Sequence, residues 1–102
     1  RFSNQGTLST SGTVIHTAPD NNMSEVRSLR FNNPLAYTLT LVKYPSATQI
    51  YSLTLSGGDT LSDDTLYHLD TGEYLEATSS ISGTTFITEG EDMPNINVVR
   101  CR

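Results

Sequence analysis

Leu35, Tyr37, Leu39 and Leu41 alternate with Ala36, Thr38 and Thr40. A period of two is the spacing of a strand with one face on a core and the other in water. A helix would place its apolar residues three and four apart between caps, and no window of this chain does so. The alternation returns at 47–55, where Tyr51, Leu53 and Leu55 oppose Ile50, Ser52 and Thr54. The runs are short and are separated by Gly, Pro, Asn and Asp, the residues that turns require.

Read from the start, 1–12 is Ser, Thr, Gly, Asn and Gln with few apolar residues. It is expected to be an extended arm that orders only against a neighbour, leaving 13–102 as the folded body. A strand over 13–18 ends at Pro19-Asp20-Asn21-Asn22. In 23–32 the apolar phase slips between Val26 and Leu29, which a bulge near Arg27-Ser28 would repair. After the turn Asn32-Asn33-Pro34 come strands over 35–44 and 47–55. Gly57-Gly58-Asp59 then reads as a turn, followed by strands over 65–69, 73–79 and 83–89. Gly90-Glu91-Asp92-Met93-Pro94 is expected to turn the chain before a last strand over 95–100. About eight short strands with no helix indicate an all-β antiparallel sandwich or jelly-roll-like domain.

One domain is expected, because 102 residues leave no room for a second core. Ser, Thr and Asn replace part of the usual charged and apolar content, with 17% charged and 35% hydrophobic residues, so the surface is neutral and polar. The net charge of −5 is segregated: between Asp59 and Asp92 there are acids but no Lys or Arg. Opposite-signed regions suit packing against copies of the same chain, and the acidic balance argues against nucleic acid as a partner. A single cysteine, Cys101, excludes an internal disulfide framework and reads as a free thiol or an intermolecular partner. No apolar run reaches the ~20 residues of a membrane span, and no membrane partner or signal peptide is expected. Beginning at Arg1 without Met, the chain reads as a processed or trimmed product.

Candidate chemistry is thin. His16 and His68 are the two histidines, and a hydrolase would need one of them beside a Ser and an oriented acid; no local signature supplies that. The acidic turn Asp59-Thr60-Leu61-Ser62-Asp63-Asp64 lacks the spacing of a calcium loop and reads as turn capping. Glu73 and Glu76 would fall on opposite faces of a strand, too poorly converged to hold a sugar between them. Tyr37, Tyr44, Tyr51, Tyr67 and Tyr74 are expected at the core or its rim, with a sugar platform as the rival reading. Gly57-Gly58 and Gly83 precede no helix and cradle no phosphate. No catalytic, cofactor-binding or metal-binding residue is assigned.

Thr17-Ala18-Pro19, Glu25 through Asn33, Leu53-Thr54-Leu55-Ser56-Gly57-Gly58-Asp59-Thr60-Leu61, and Leu69-Asp70-Thr71-Gly72-Glu73-Tyr74-Leu75-Glu76-Ala77-Thr78-Ser79 occur in an order that resembles small β-sandwich virion proteins of tailed bacteriophages. That family has a "TAP" turn before a strand ending in Asn and two echoing "L-x-x-G-D-x-L" turns; here Glu73 stands where Asp is commoner. The resemblance runs over about Thr13 to Glu91, and it implies a non-enzymatic structural subunit at the capsid exterior, neck or tail. It carries over no active-site residue and no cofactor. The implied partners are copies of the chain and other virion proteins, the implied location is the virion, assembled in the host cytoplasm, and the arm and 95–102 are the candidate latches. A carbohydrate-binding sandwich that recognises a host surface is the alternative from another class.

Overall fold

The computed structural model describes residues 1–94. Among them are nine strands and no helix: β1 (Phe2–Thr7), β2 (Thr13–Thr17), β3 (Asn22–Asn32), β4 (Tyr37–Tyr44), β5 (Thr48–Leu55), β6 (Thr60–Asp63), β7 (Tyr67–Leu69), β8 (Tyr74–Ser79) and β9 (Thr85–Pro94). Their antiparallel pairings nest. β4 pairs with β5, β3 with β6 and β7, β2 with β8, and β1 with β9, which is the pattern of one long hairpin with its tip at Pro45–Ala47.

Rolling that hairpin over sets β9 against β3 and β8 against β4. The result is two sheets, β1-β9-β3-β6 with β7 also on β3, and β2-β8-β4-β5. This nested order is that of a jelly roll whose sixth strand is split into β6 and β7. The fold is therefore the all-β sandwich that the alternation implies.

The core lies between the sheets. Leu39, Leu41, Leu75 and Ala77 from one sheet meet Val26, Leu29, Phe31 and Leu69 from the other, all buried. Each leucine buried this completely contributes about 2 kcal/mol by leaving water, so the period-two rows of β3, β4 and β8 supply most of the apolar drive. The phase slip in β3 is a bulge. Val26 faces Gly90 and Ser28 faces Glu89, leaving Arg27 as the extra residue.

Several boundaries differ from the sequence reading. Phe2–Thr7, inside the expected arm, is β1 and runs in register with β9 from Phe2↔Gly90 to Thr7↔Thr85. Its polar residues suit an edge strand, and Phe2 and Asn4 turn inward. Gly90 does not end a strand: β9 continues through it to Pro94 because the missing side chain is what lets β3 and Phe2 close over it. A Cβ there would run into the carbonyl oxygen of Glu25 and come 2.7 Å from Phe2 Cζ. The segment after Gly58 is likewise a strand, β6, with Leu61 as its one apolar residue. Leu35, expected on the buried face, sits in the turn before β4 and is 65% exposed. The strand expected over 95–100, and Cys101, lie outside the described residues.

Candidate functional site

His16, Ser24 and Asp92 meet, although 68 residues separate Ser24 from Asp92 in the chain. The roll brings them together: β2 carries His16, β3 carries Ser24, and β9 carries Asp92 opposite Ser24. His16 Nε2 lies 3.1 Å from Ser24 Oγ and 3.0 Å from Asp92 Oδ1. The Asn4 amide donates to the Ile15 carbonyl and lies 3.1 Å from His16 Nδ1. Because a carbonyl accepts only from the NH2 end, that amide group also faces Nδ1, which is then the acceptor and leaves the ring proton on Nε2.

This is not the geometry of a nucleophilic triad. The nitrogen facing the serine must be free to take its proton, but here it already carries one. The Ser24 hydroxyl donates to Asp92 instead. Ser24 is fully buried, His16 is 8% exposed, and the Phe2 ring stacks on the imidazole at 3.6 Å with an 8° tilt. The cluster fastens β1, β3 and β9 of one sheet to β2 of the other. Nothing in the sequence marks Ser24 or Asp92 as its members.

The other expected residues stay apart. His68 is exposed, with Nε2 2.9 Å from Asp70 Oδ1. Glu73 Oε1 accepts from the Asp70 amide and lies 3.3 Å from Lys43 Nζ, which closes a turn. Glu76, on β8, approaches Gly12 instead. Among the described residues no group of three or more His, Cys, Asp or Glu is placed to hold a metal ion. Among the same residues no helix is long and apolar enough to cross a membrane. Tyr37 is buried and donates to the Phe31 carbonyl, whereas Tyr44 and Tyr74 stack on one another at 5.2 Å.

A different place collects tyrosines and acid. At the edge where β5 of one sheet faces β6 and β7 of the other, the sandwich gapes into a cleft of about 580 Å³ lined by Tyr51, Leu53, Leu61, Asp63, Asp64 and Tyr67. The cause is a mismatch in strand length. β5 has eight residues and β6 four; of the inward row, Tyr51 and Leu55 still pack against the core while Leu53 between them opens on the cleft. The row's partners across the ladder, Leu41, Leu39 and Tyr37, are at most 2% exposed, yet Leu53 is 41% exposed.

Asp63 sits at the back of the cleft and accepts from Tyr67 Oη at 2.6 Å, Tyr51 Oη at 3.0 Å and the Thr65 amide at 2.9 Å. Burial alone would push its carboxyl up, but the hydrogen bonds from Tyr67, Thr65 and Tyr51 outweigh it and hold the group below the usual carboxylate range. Burial, then the neighbouring carboxylate, pushes the Tyr67 phenol up to about 12 and the Tyr51 phenol well above its ordinary range. The acid is thus already satisfied by its own chain. What remains open to a partner is Leu53, the exposed Asp64, and the backbone edge of β5.

No family model and no curated protein matches this chain. Among solved structures it is similar to a chain of the T13 IBDV viral particle, with TM-score 0.38 and 13% identity over 87% of this chain and 30% of that one. A chain of the infectious bursal disease virus Gt strain gives TM-score 0.27 and 13% identity over 87% and 29%. This chain spans about a third of the length of either. At such scores the likeness carries no functional argument.

Proposed function

We propose that this chain is a non-enzymatic structural subunit of a virion, of the tailed-phage capsid-decoration, neck or tail accessory kind, that works through contacts with copies of itself and with other virion proteins. The open edge between β5 and β6 is the observation that carries the assembly part of this reading. A long uncharged strand edge beside an uncovered apolar side chain is a template for another chain. The virion setting comes from the ordered turn motifs around Pro19, Gly57-Gly58 and Gly72, and the jelly roll is compatible with it without implying it.

The buried, misprotonated arrangement at His16 and Ser24 favours a structural over a hydrolytic role. A sugar-binding sandwich needs exposed neighbouring aromatic faces; Tyr44 and Tyr74 face each other, and Tyr51 and Tyr67 are turned to Asp63. Two measurements test the proposal. An antibody against the full chain should detect it in gradient-purified particles and decorate them in electron micrographs. A glycan array probed with the full chain should stay blank. Absence from purified particles, or saturable binding to one glycan class, overturns the reading.

A further inference from the structure

We propose that β5 is an acceptor edge for residues 95–102 of a second copy of this chain, which add to it as a further strand. The inference rests on the self-assembly reading above and names the surface and the segment that would carry it.

The acceptor is specified by three observations. β5 pairs on one side with β4, interrupted by a bulge at Ile50, and its other side pairs with no described strand. Edge strands are commonly shielded by charge, proline or brevity, yet β5 runs Thr-Gln-Ile-Tyr-Ser-Leu-Thr-Leu over eight residues with none of these. The shorter edges β2, β6 and β7 have five, four and three residues. β1 is also uncharged, but its apolar residue, Phe2, is spent on His16. Beneath β5 an exposed inward Leu53, a cleft and an acidic rim coincide.

The occupant is specified by its sequence. Residues 95–102 read Asn-Ile-Asn-Val-Val-Arg-Cys-Arg. In an extended chain Ile96, Val98, Arg100 and Arg102 share one face, two apolar residues followed by two cations. The cleft offers the complement, the apolar Leu53 and Leu61 beside the acidic Asp63 and Asp64. No acidic side chain interrupts the segment.

Geometry favours a second copy over the chain's own cleft. The described chain ends at Pro94, which pairs with Asn22 on β9, an internal strand of the opposite sheet. Reaching β5 in the same molecule means passing two strands at about 4.8 Å each and a sheet gap of about 10 Å. At about 3.3 Å per residue this uses roughly six residues, so Ile96 and Val98 would be spent before pairing begins.

The test uses the full chain in sedimentation velocity and amide hydrogen exchange. Wild-type protein should self-associate with slowed exchange over Thr48–Leu55. The variant with Arg100→Glu and Arg102→Glu should dissociate about tenfold more readily, and adding Asp64→Arg to it should restore association. Rescue by a charge of opposite sign at an exposed rim residue is not produced by a misfolded variant. If wild type associates but the charge-reversed variant associates equally, or Asp64→Arg does not rescue, this placement is wrong while assembly stands. A wild-type monomer up to about 1 mM overturns both.

Discussion

Tyr51 Oη, on the edge strand of one sheet, donates at 3.0 Å to Asp63 Oδ2 on the edge strand of the other, where Tyr67 Oη already donates at 2.6 Å. One carboxylate therefore spans the open side of the sandwich at the point where β6 is too short to close it. The cleft is held apart and held together by the same residue.

Replacing Asp63→Asn keeps an acceptor but removes its charge, and charge-assisted hydrogen bonds are roughly twice as strong as neutral ones. The expected cost is about 1–2 kcal/mol in urea unfolding. Tyr67→Phe should cost less in the Asp63→Asn background than in wild type, because the two residues share one interaction. Additive losses in the double-mutant cycle would contradict the bridge.

The cleft also sets the response to pH. Asp63 is held below its ordinary pKa in the folded state, so its stabilisation is present above the unfolded value and is lost as pH falls through the folded one. Tyr67 is raised to about 12, so its contribution is complete below the ordinary phenol value of 10.0 and fades as pH rises toward the folded one. Urea midpoints should fall at both extremes, with Asp63→Asn flattening the acid limb and Tyr67→Phe the alkaline limb.

Two substitutions in β9 should act in opposite directions. Gly90→Ala puts a methyl into the Glu25 backbone and the Phe2 ring, an overpacking expected to cost about 3 kcal/mol. Thr88 is fully buried and its hydroxyl has no hydrogen-bond partner; Thr88→Val removes that polar atom at nearly constant shape. It should raise stability by about 1 kcal/mol in the same assay.

Deleting residues 1–7 removes Phe2 and Asn4 from the His16 cluster and uncovers β9. The expected result is a lowered thermal midpoint together with dye binding to exposed apolar surface. An unchanged melt would show that β1 is dispensable to the body.

Ser24 should resist a fluorophosphonate probe in the folded protein, since its proton goes to Asp92 and the imidazole offers no free nitrogen. Mass spectrometry of the intact chain checks this directly. A stoichiometric adduct at Ser24 would reopen the hydrolase reading.

The local features were legible because they depend on neighbours in sequence. Alternation at Tyr37, Leu39 and Leu41 located β4 and its buried face, and the phase slip after Val26 located the bulge at Arg27. Gly90 misled for the opposite reason: a glycine reads as a turn unless one knows that Glu25 and Phe2 press against it. Phe2–Thr7 misled because an edge strand takes most of its binding energy from backbone pairing with β9, and side-chain composition does not record that.

Residue order alone determined that this chain alternates, turns often and forms sheets, since side-chain period and turn chemistry act over a few residues. Which strands lie side by side was settled only when the long hairpin rolled. That roll put Ser24 and Asp92 beneath His16, and it set an eight-residue strand opposite a four-residue one so that Leu53 stayed in water. Such meetings are fixed by packing two whole sheets face to face, a condition no short window of sequence contains.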